Sequence, residues 1–209
     1  SRGVEEQFED VIIVKSGEDV KKALLSYNPE EIYFRQMAGV RRVMTGETTF
    51  DRVGEMLTTL GFKVSQPPRS VLVVMVNQSE DLINQFNSQS YPYKEYFSLD
   101  QLTENMWSQY DYIAIWDINC RYSKYYIEDM VNGFKYTDCD YICKDSFYRC
   151  DELVAGIEHD YIEHIRNIFA VIFSRESLSA HELKQLLVQE NIVKANGYSI
   201  DHFNFQMLV

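Results

Sequence analysis

The stretch Ser70-Val71-Leu72-Val73-Val74-Met75-Val76-Asn77 decides the fold. It is a continuous run of mostly β-branched, apolar residues of strand length, as expected for a strand that is buried on both faces of a parallel sheet. A helical pattern over 81–89 follows, with Leu82, Ile83 and Phe86 facing inward. The run therefore predicts the first strand of an α/β sheet.

The alternation continues downstream. Residues 90–97 predict a turn into a second strand, and 99–109 predict a helical stretch. Residues 110–117 read as an apolar strand that ends on Asp117. Ser123 can cap a helix over 125–134, and 140–144 is a further strand. This rhythm predicts an α/β fold with a parallel or mostly parallel sheet flanked by helices.

The proline pair in Ser65-Gln66-Pro67-Pro68-Arg69 marks a boundary, because proline fixes φ and removes a backbone donor. We therefore divide the chain into a helical segment 1–64, a linker 65–69 and an α/β module 70–209. In the first segment, Val11-Ile12-Ile13-Val14 predicts a short buried strand, and helices are predicted from Gly17, from Pro29 and after Thr48. One strand and three helices are too few to form a complete domain. We therefore expect a helical appendage on the sheet, with an exposed apolar face that favours association.

Composition and charge exclude several classes of protein. The chain has 209 residues, is 45% hydrophobic and has four cysteines, which excludes a disordered chain and a disulfide scaffold and favours a reducing cytoplasm. No apolar run approaches the roughly 20 residues of a membrane span. Residues 70–209 carry 21 acidic and 10 basic side chains, a balance that disfavours nucleic acid and anionic lipid as partners. The sequence has no initiator Met and ends in apolar, strand-like residues, so we expect it to be part of a longer protein.

Asp117 and Asn119 are the strongest candidates for a binding site. Ligands of α/β sheets bind beyond the carboxyl ends of the strands, and we expect Asp117 to be an exposed acid in that cleft. Carboxylate and amide oxygens two residues apart can bind Mg²⁺ or Mn²⁺, which would offset the charge of a diphosphate. The alternative is that Asp117 only caps the turn after its strand.

Two sets of histidines and cysteines are weaker candidates. His159 and His164 are five residues apart, which on a regular helix would place them about 140° apart, so they cannot share an ion there and are interpreted as surface residues. Cys139, Cys143 and Cys150 have no second Cys or His cluster and do not predict a zinc site.

Four segments carry a family resemblance in their order along the chain. They are the strand 71–77, Asn87-Ser88-Gln89-Ser90-Tyr91-Pro92-Tyr93-Lys94-Glu95, Tyr112-Ile113-Ala114-Ile115-Trp116-Asp117-Ile118-Asn119, and 122–130. In that order they resemble the first strand, the NQTYPNKE stretch, the strand before the Asp-x-Asp motif and the Y-x-x-x-Y-(I/L)-x-D-M continuation of family 2 glycosyltransferases, which have the GT-A fold. Residues 138–144 and 199–205 are most similar to the form of this module fused behind a GT-B glycosyltransferase. Residues 36–44 and 48–53 resemble the closing helices of such a GT-B domain.

The resemblance implies a bacterial glycosyltransferase, part of a larger protein, which transfers a sugar from a nucleotide-sugar donor to a glycan or protein acceptor. It implies that the donor and a Mg²⁺ or Mn²⁺ ion bind at Asp117 and Asn119. Asp100 is the remnant of the loop that holds the nucleotide, and Lys144 is a candidate for contact with a phosphate or sugar, unless it is simply solvated. His181 and Glu182 fall where the family has its catalytic base, although a helix-surface role is the alternative. The implied partners are a preceding GT-B domain of the same chain and, as a possibility, a second copy.

The departures from the family pattern define a second functional hypothesis. Residues 95–100 run almost directly into the next helix, without the usual aspartate-rich loop, and the acidic cluster is reduced to Asp117-Ile118-Asn119-Cys120. The second hypothesis is therefore a degenerate, non-catalytic GT-A-like module for acceptor recognition, interdomain packing or oligomerisation.

Overall fold

A computed structural model describes residues 11–64, 67–188 and 192–209. The chain divides into two compact units, Ser1–Lys63 and Val64–Val209.

The first unit contains the three predicted helices. They are α1 (Gly17–Ser26), α2 (Pro29–Gly46) and α3 (Thr49–Thr59). Each begins at a capping residue, because the side chain of Ser16, Asn28 or Thr48 accepts a hydrogen bond from a backbone N–H of the first turn. Local capping chemistry explains why these starts could be predicted.

The predicted strand at Val11–Val14 is wrong. These residues form no strand, and their side chains are 40 to 44% exposed. A strand needs a partner, and no strand is present among the described residues of this unit. None of the three helices has a buried residue. Their apolar side chains are therefore exposed to solvent, with Leu25 77% and Phe50 76% exposed.

The second unit alternates strands and helices. Its strands are β1 (Val71–Met75), β2 (Lys94–Ser98), β3 (Tyr112–Trp116), β4 (Cys120–Tyr122), β5 (Tyr141–Cys143), β6 (Phe147–Arg149), β7 (Glu152–Val154), β8 (Asp160–Ile165), β9 (Val171–Ser174), β10 (Ile192–Ser199) and β11 (Phe205–Met207). Its α-helices are α4 (Glu80–Asn87), α5 (Glu104–Trp107), α6 (Tyr126–Gly133) and α7 (Ala180–Leu186). Short 3₁₀ helices occupy Leu99–Gln101, Ile168–Ala170 and Arg175–Ser177.

The larger sheet has seven strands in the order β2-β1-β3-β9-β5-β10-β8. The pairs β1/β2, β1/β3 and β5/β10 are parallel, whereas β9 is antiparallel to both its neighbours and β8 is antiparallel to β10. Five of the seven strands therefore run in one direction. The expectation of an α/β fold with a mostly parallel sheet flanked by helices is confirmed.

The core lies on both faces of this sheet. Val71, Val73 and Met75 belong to one apolar cluster, and the alternate residues Leu72 and Val74 belong to the other. All five side chains of β1 have no exposed area. This two-sided burial is why the strand reads as a continuous apolar run.

A second sheet has four strands in the order β4-β11-β6-β7. Its central strand β11 pairs antiparallel with β4 and parallel with β6. The turn after β3 leads directly into β4, so this small sheet holds the chain that follows Asp117.

Two local predictions in this unit are wrong. The stretch 99–109 is not one helix, because Leu102 has an extended conformation (ψ 122°) between the 3₁₀ turn and α5. Ser123 does not cap α6, which is preceded by Tyr125 without a side-chain cap. Residues 160–165, which contain His164, form strand β8, so the spacing of the two histidines on a helix does not apply to them. Within the described residues, no helix is both long and apolar enough to cross a bilayer.

Candidate functional site

The strand order of the larger sheet reverses between β1 and β3. From β1 the chain moves outward to β2, and then returns to place β3 on the other side of β1. A crevice at the carboxyl ends of two such strands is the usual ligand site of open α/β sheets. Asn77 follows β1 and Asp117 follows β3, and Asn77 Nδ2 donates a hydrogen bond to Asp117 Oδ2 at 3.0 Å. The two strand ends are thus joined at the predicted position.

The carboxylate of Asp117 accepts two more hydrogen bonds from Asn119. Its Oδ1 lies 2.9 Å from the backbone nitrogen and 2.8 Å from Nδ2 of Asn119. The structure therefore brings Asp117 and Asn119 together, as the sequence predicts. However, Asp117 is only 4% exposed, so the expectation of an exposed cleft acid is wrong. Three amide donors satisfy this carboxylate and hold the turn 117–119 against β1.

This arrangement does not fit a preformed site for a divalent cation. Both oxygens of Asp117 already accept amide hydrogens, and Asn119 presents its amide nitrogen to the carboxylate. No group of three or more His, Cys, Asp or Glu side chains suited to a metal occurs in the part of the chain that the structure describes. A Mg²⁺ or Mn²⁺ ion would have to displace amide donors to reach Asp117.

Tyr122 connects Asp117 to the turn before β9. Its hydroxyl accepts a hydrogen bond from the backbone N–H of Asp117 at 3.3 Å and donates one to the carbonyl of Phe169 at 3.2 Å. Its ring stacks on Trp116, with ring centroids 3.9 Å apart. Burial raises the pKa of Tyr122 well above its ordinary value, so the hydroxyl keeps its proton and can donate.

Neither a family model nor a curated protein matches this chain in comparisons with known proteins.

Lys144 is buried at the carboxyl end of β5. Its ammonium donates to the carbonyl oxygen of Asp201 at 2.7 Å and lies 3.3 Å from the carboxylate of the same residue. The lysine side chain is 0% exposed and the aspartate side chain 6% exposed. The ammonium is thus bound within the protein, so the alternative of a solvated lysine is wrong.

Asp145 forms a second buried polar cluster next to this pair. Its side chain has no exposed area, and its Oδ2 accepts a hydrogen bond from the backbone of Ile157 at 2.8 Å. Its Oδ1 lies 2.9 Å from His164 Nε2 and 3.3 Å from Arg166 Nε. His164 is thus partly exposed, as expected of a surface residue, but its ring is paired with a buried carboxylate.

The remaining predicted residues lie on exposed local structure. Asp100 is in the 3₁₀ turn after β2, where the hydrogen bond from the Ser98 side chain lowers the pKa of its carboxyl. Glu182 completes a capping box with Ser179 at the start of α7, and hydrogen bonds from Ser179 lower its pKa. His181 contacts Gln185 on the same helix at 3.0 Å. These contacts are local, and no hydrogen bond or ion pair in the described part of the chain joins Asp100, His181 or Glu182 to Asp117.

Sequence reasoning missed Asn77, Tyr122 and Asn167 as parts of this edge of the sheet. Asn77 carried a signal, because it is the first polar residue after a buried strand. Asn167 begins the turn before β9, and its Nδ2 is buried without a hydrogen-bond partner among the described residues. Such an orphan donor is rare in folded proteins, and a water or ligand group usually satisfies it.

Proposed function

We propose that residues 64–209 form a GT-A-like module of a bacterial glycosyltransferase, which transfers a sugar from a nucleotide-sugar donor to a glycan or protein acceptor. The observation that carries the proposal is the hydrogen bond between Asn77 and Asp117, because it joins β1 and β3 where the strand order reverses. This is where an open α/β sheet binds its ligands. The motif resemblance selects a nucleotide-sugar among the ligands that such a crevice can hold.

The polar groups at the crevice support binding of a nucleotide. Asn77 is exposed and uses one amide hydrogen on Asp117, which leaves its second hydrogen and its carbonyl for a ligand. In the reaction, an acceptor hydroxyl attacks the anomeric carbon, the new glycosidic bond forms, and the bond to the nucleoside diphosphate breaks. Asp117 and Asn119 hold the turn that shapes this crevice.

A second candidate function is a degenerate, non-catalytic module for acceptor recognition, interdomain packing or oligomerisation. The observation that favours it is the saturation of Asp117, whose two oxygens accept three amide hydrogens at 4% exposure. A carboxylate whose oxygens are already hydrogen-bonded stabilises its turn and needs no ligand to do so.

Further features support the cellular context that we propose. All four cysteines are free thiols, which is the state expected in a reducing cytoplasm. The open apolar side chains of the first unit, with Phe50 at 76% and Leu60 at 70% exposure, support its assignment as the closing helices of a GT-B domain in a longer chain. They support a homo-oligomer equally well.

Thermal unfolding with nucleotides separates the two functions. Uridine, guanosine and cytidine diphosphates are added with Mn²⁺ or with a chelator. The catalytic proposal predicts a rise in melting temperature, since ligand at 100 times its dissociation constant stabilises by about 2.7 kcal/mol. Asn77→Ala and Asp117→Asn should remove the rise, whereas Asp151→Asn, at an exposed turn residue, should keep it. No rise with any nucleotide supports the degenerate module, and a rise in chelator shows that no metal is needed.

A further inference from the structure

His164 and Asp145 form a pair that the motifs do not assign. His164 Nε2 lies 2.9 Å from Asp145 Oδ1, with the aspartate side chain 0% and the histidine side chain 43% exposed. A buried carboxylate accepts a hydrogen bond, so it selects the imidazole tautomer that carries its proton on Nε2. Nδ1 then keeps a lone pair on a partly exposed ring, which is the form of histidine that accepts a proton.

The carboxylate itself is held and charge-paired without help from His164. Arg166 Nε lies 3.3 Å from the same oxygen, and the backbone nitrogen of Ile157 donates to the other oxygen at 2.8 Å. The backbone nitrogen of Asp145 also donates to Ser199 Oγ at 3.0 Å. Because Arg166 supplies a permanent cation, Asp145 does not require a protonated His164 as its partner.

The other titratable or charged groups around the imidazole are few. Tyr141 of β5 donates its hydroxyl hydrogen to the backbone carbonyl of His164 at 3.2 Å, and burial raises the pKa of that tyrosine, so it stays neutral. Glu163 is the preceding residue of β8, and Lys194 of β10 donates its ammonium to the carbonyl of Ser177 at 2.8 Å. Asp145 is thus the charged group that the imidazole of His164 contacts, and Arg166 shares the same carboxylate oxygen.

Asp145 lies at the same edge of the sheet as Asp117, whereas the backbone of His164 lies opposite Val193 near the start of β10, and its side chain reaches Asp145. Asp145 follows the last residue of β5 by two positions, and β5 runs in the same direction as β3 with only β9 between them. Neighbouring strands are about 4.8 Å apart, so the carboxyl ends of β3 and β5 are separated by about 10 Å. The turn at Ile168–Ala170 joins them, since Phe169 accepts from Tyr122 and Ala170 accepts from the backbone of Lys144. The imidazole that contacts Asp145 is therefore on the β5 side of the crevice beside Asp117.

We propose that His164 is the general base that activates the acceptor, with Asp145 as its positioning residue. The inference rests on the function proposed above. The acceptor hydroxyl gives its proton to His164 Nδ1 while its oxygen forms the bond to the anomeric carbon. The bond between that carbon and the diphosphate oxygen breaks, and the nucleoside diphosphate leaves with the electron pair. The imidazolium then returns its proton to water. His164 replaces His181 and Glu182 as the candidate base.

The test measures release of uridine diphosphate from uridine-diphosphate glucose and uridine-diphosphate N-acetylglucosamine, with N-acetylglucosamine or water as the acceptor. His164→Ala should lower kcat by about 100-fold or more, the usual contribution of a general base. Added imidazole should restore about a tenth or more of the lost rate, because a free base can enter the space that the side chain leaves. His159→Asn is the matched control. This exposed histidine has φ 54°, which asparagine tolerates, and the variant should keep full activity without a response to imidazole.

Asp145→Asn tests the positioning role. The variant should have a lower kcat, because the amide that replaces the carboxylate no longer fixes the imidazole tautomer with its proton on Nε2. KM for the donor should be unchanged. A purely structural role would change KM together with kcat.

Every outcome decides between the two proposals. Full activity of His164→Ala, or a loss that imidazole does not restore, overturns the base assignment. Nucleotide-induced stabilisation without any turnover of the starting protein also overturns it, while keeping nucleotide binding. Absence of both stabilisation and turnover overturns the proposed function itself.

Discussion

The ammonium of Lys144 lies 2.7 Å from the carbonyl oxygen of Asp201 and 3.3 Å from its carboxylate, and the lysine side chain is fully buried. The two residues follow β5 and β10, so the pair fixes the carboxyl ends of two neighbouring parallel strands.

Removing this lysine should destabilise the protein. Lys144→Ala leaves Asp201 buried without its cation, and breaking a buried pair by removing one partner costs about 3–5 kcal/mol. Urea unfolding measures the loss. Lys184→Ala, on the exposed face of α7, is the control and should change stability by less than about 0.5 kcal/mol. A loss for Lys144→Ala as small as the control's, together with weaker nucleotide binding, would return Lys144 to the donor site.

Asp117→Ala should also lower stability. The substitution leaves amide donors of Asn77 and Asn119 without their acceptor, and an unsatisfied polar group costs about 1–3 kcal/mol when buried. The same urea experiment gives the loss, with Asp151→Ala as the exposed control. Equal stability of the two variants would show that Asp117 is free for a ligand.

Asp111 should make stability fall in acid. Burial raises the pKa of its carboxyl, but hydrogen bonds from Ser70 and Arg69 outweigh that effect, and the net direction is downward. A group whose pKa is depressed by folding stabilises the protein above its unfolded value of about 3.9, and the contribution is lost as the pH falls through the folded value. Between pH 7 and pH 3, the urea concentration at the unfolding midpoint should therefore fall by less for Asp111→Asn than for the starting protein. Equal losses would contradict the assignment.

The thiols should differ sharply in reactivity. Burial raises the pKa of Cys120 to about 12, so its thiol stays protonated at pH 8, whereas Cys150 is exposed. Iodoacetamide at pH 8 should alkylate Cys150 within minutes and leave Cys120 unmodified until urea is added. Mass spectrometry of peptides from the two states measures this. Rapid native labelling of Cys120 would show that the second sheet opens.

Gly156→Ala should disturb the pocket around Asp145. A Cβ at position 156 would lie 2.6 Å from the backbone oxygen of Asp145, closer than real Cβ contacts allow, so the loop must shift. We expect a loss of about 1–3 kcal/mol, as for overpacking in a core. Gly39→Ala is the control, because nothing lies within 4 Å and alanine favours its helix. A neutral Gly156→Ala would mean that this loop adapts freely.

Local chemistry explains which parts of the fold could be predicted. The run Val71–Met75 and the caps at Ser16, Asn28 and Thr48 carry their signals within a few residues, and the structure has them. The run Val11–Val14 looks like a strand too, yet no partner strand stands beside it among the described residues of its unit. The composition of a segment gives its tendency to form a strand, but the strand that pairs with it comes from elsewhere in the chain.

The candidate site was predicted only where its residues are close in sequence. Asp117 and Asn119 are two positions apart, and their contact follows from the turn after a strand. Asp145 and His164 are 19 positions apart, and Lys144 and Asp201 are 57 apart. Those contacts depend on which strands become neighbours, and no periodicity in a single sequence reports that. For this reason the sequence alone does not pair Lys144 with Asp201 or His164 with Asp145.

The pairing of β4 with β11 has a consequence for how the protein is made. The turn after Asp117 is tied down from the far end of the chain, since the backbone of Leu208 donates to the carbonyl of Asn119 and β11 pairs with β4. A ribosome adding 5–20 residues per second delivers Leu208 roughly 4–18 s after Asn119. For that interval the nascent chain holds the crevice residues without the strand that fixes them. The crevice therefore cannot mature before β11 has been made, and a translational pause before residue 205 would prolong the exposure of this incomplete edge to chaperones.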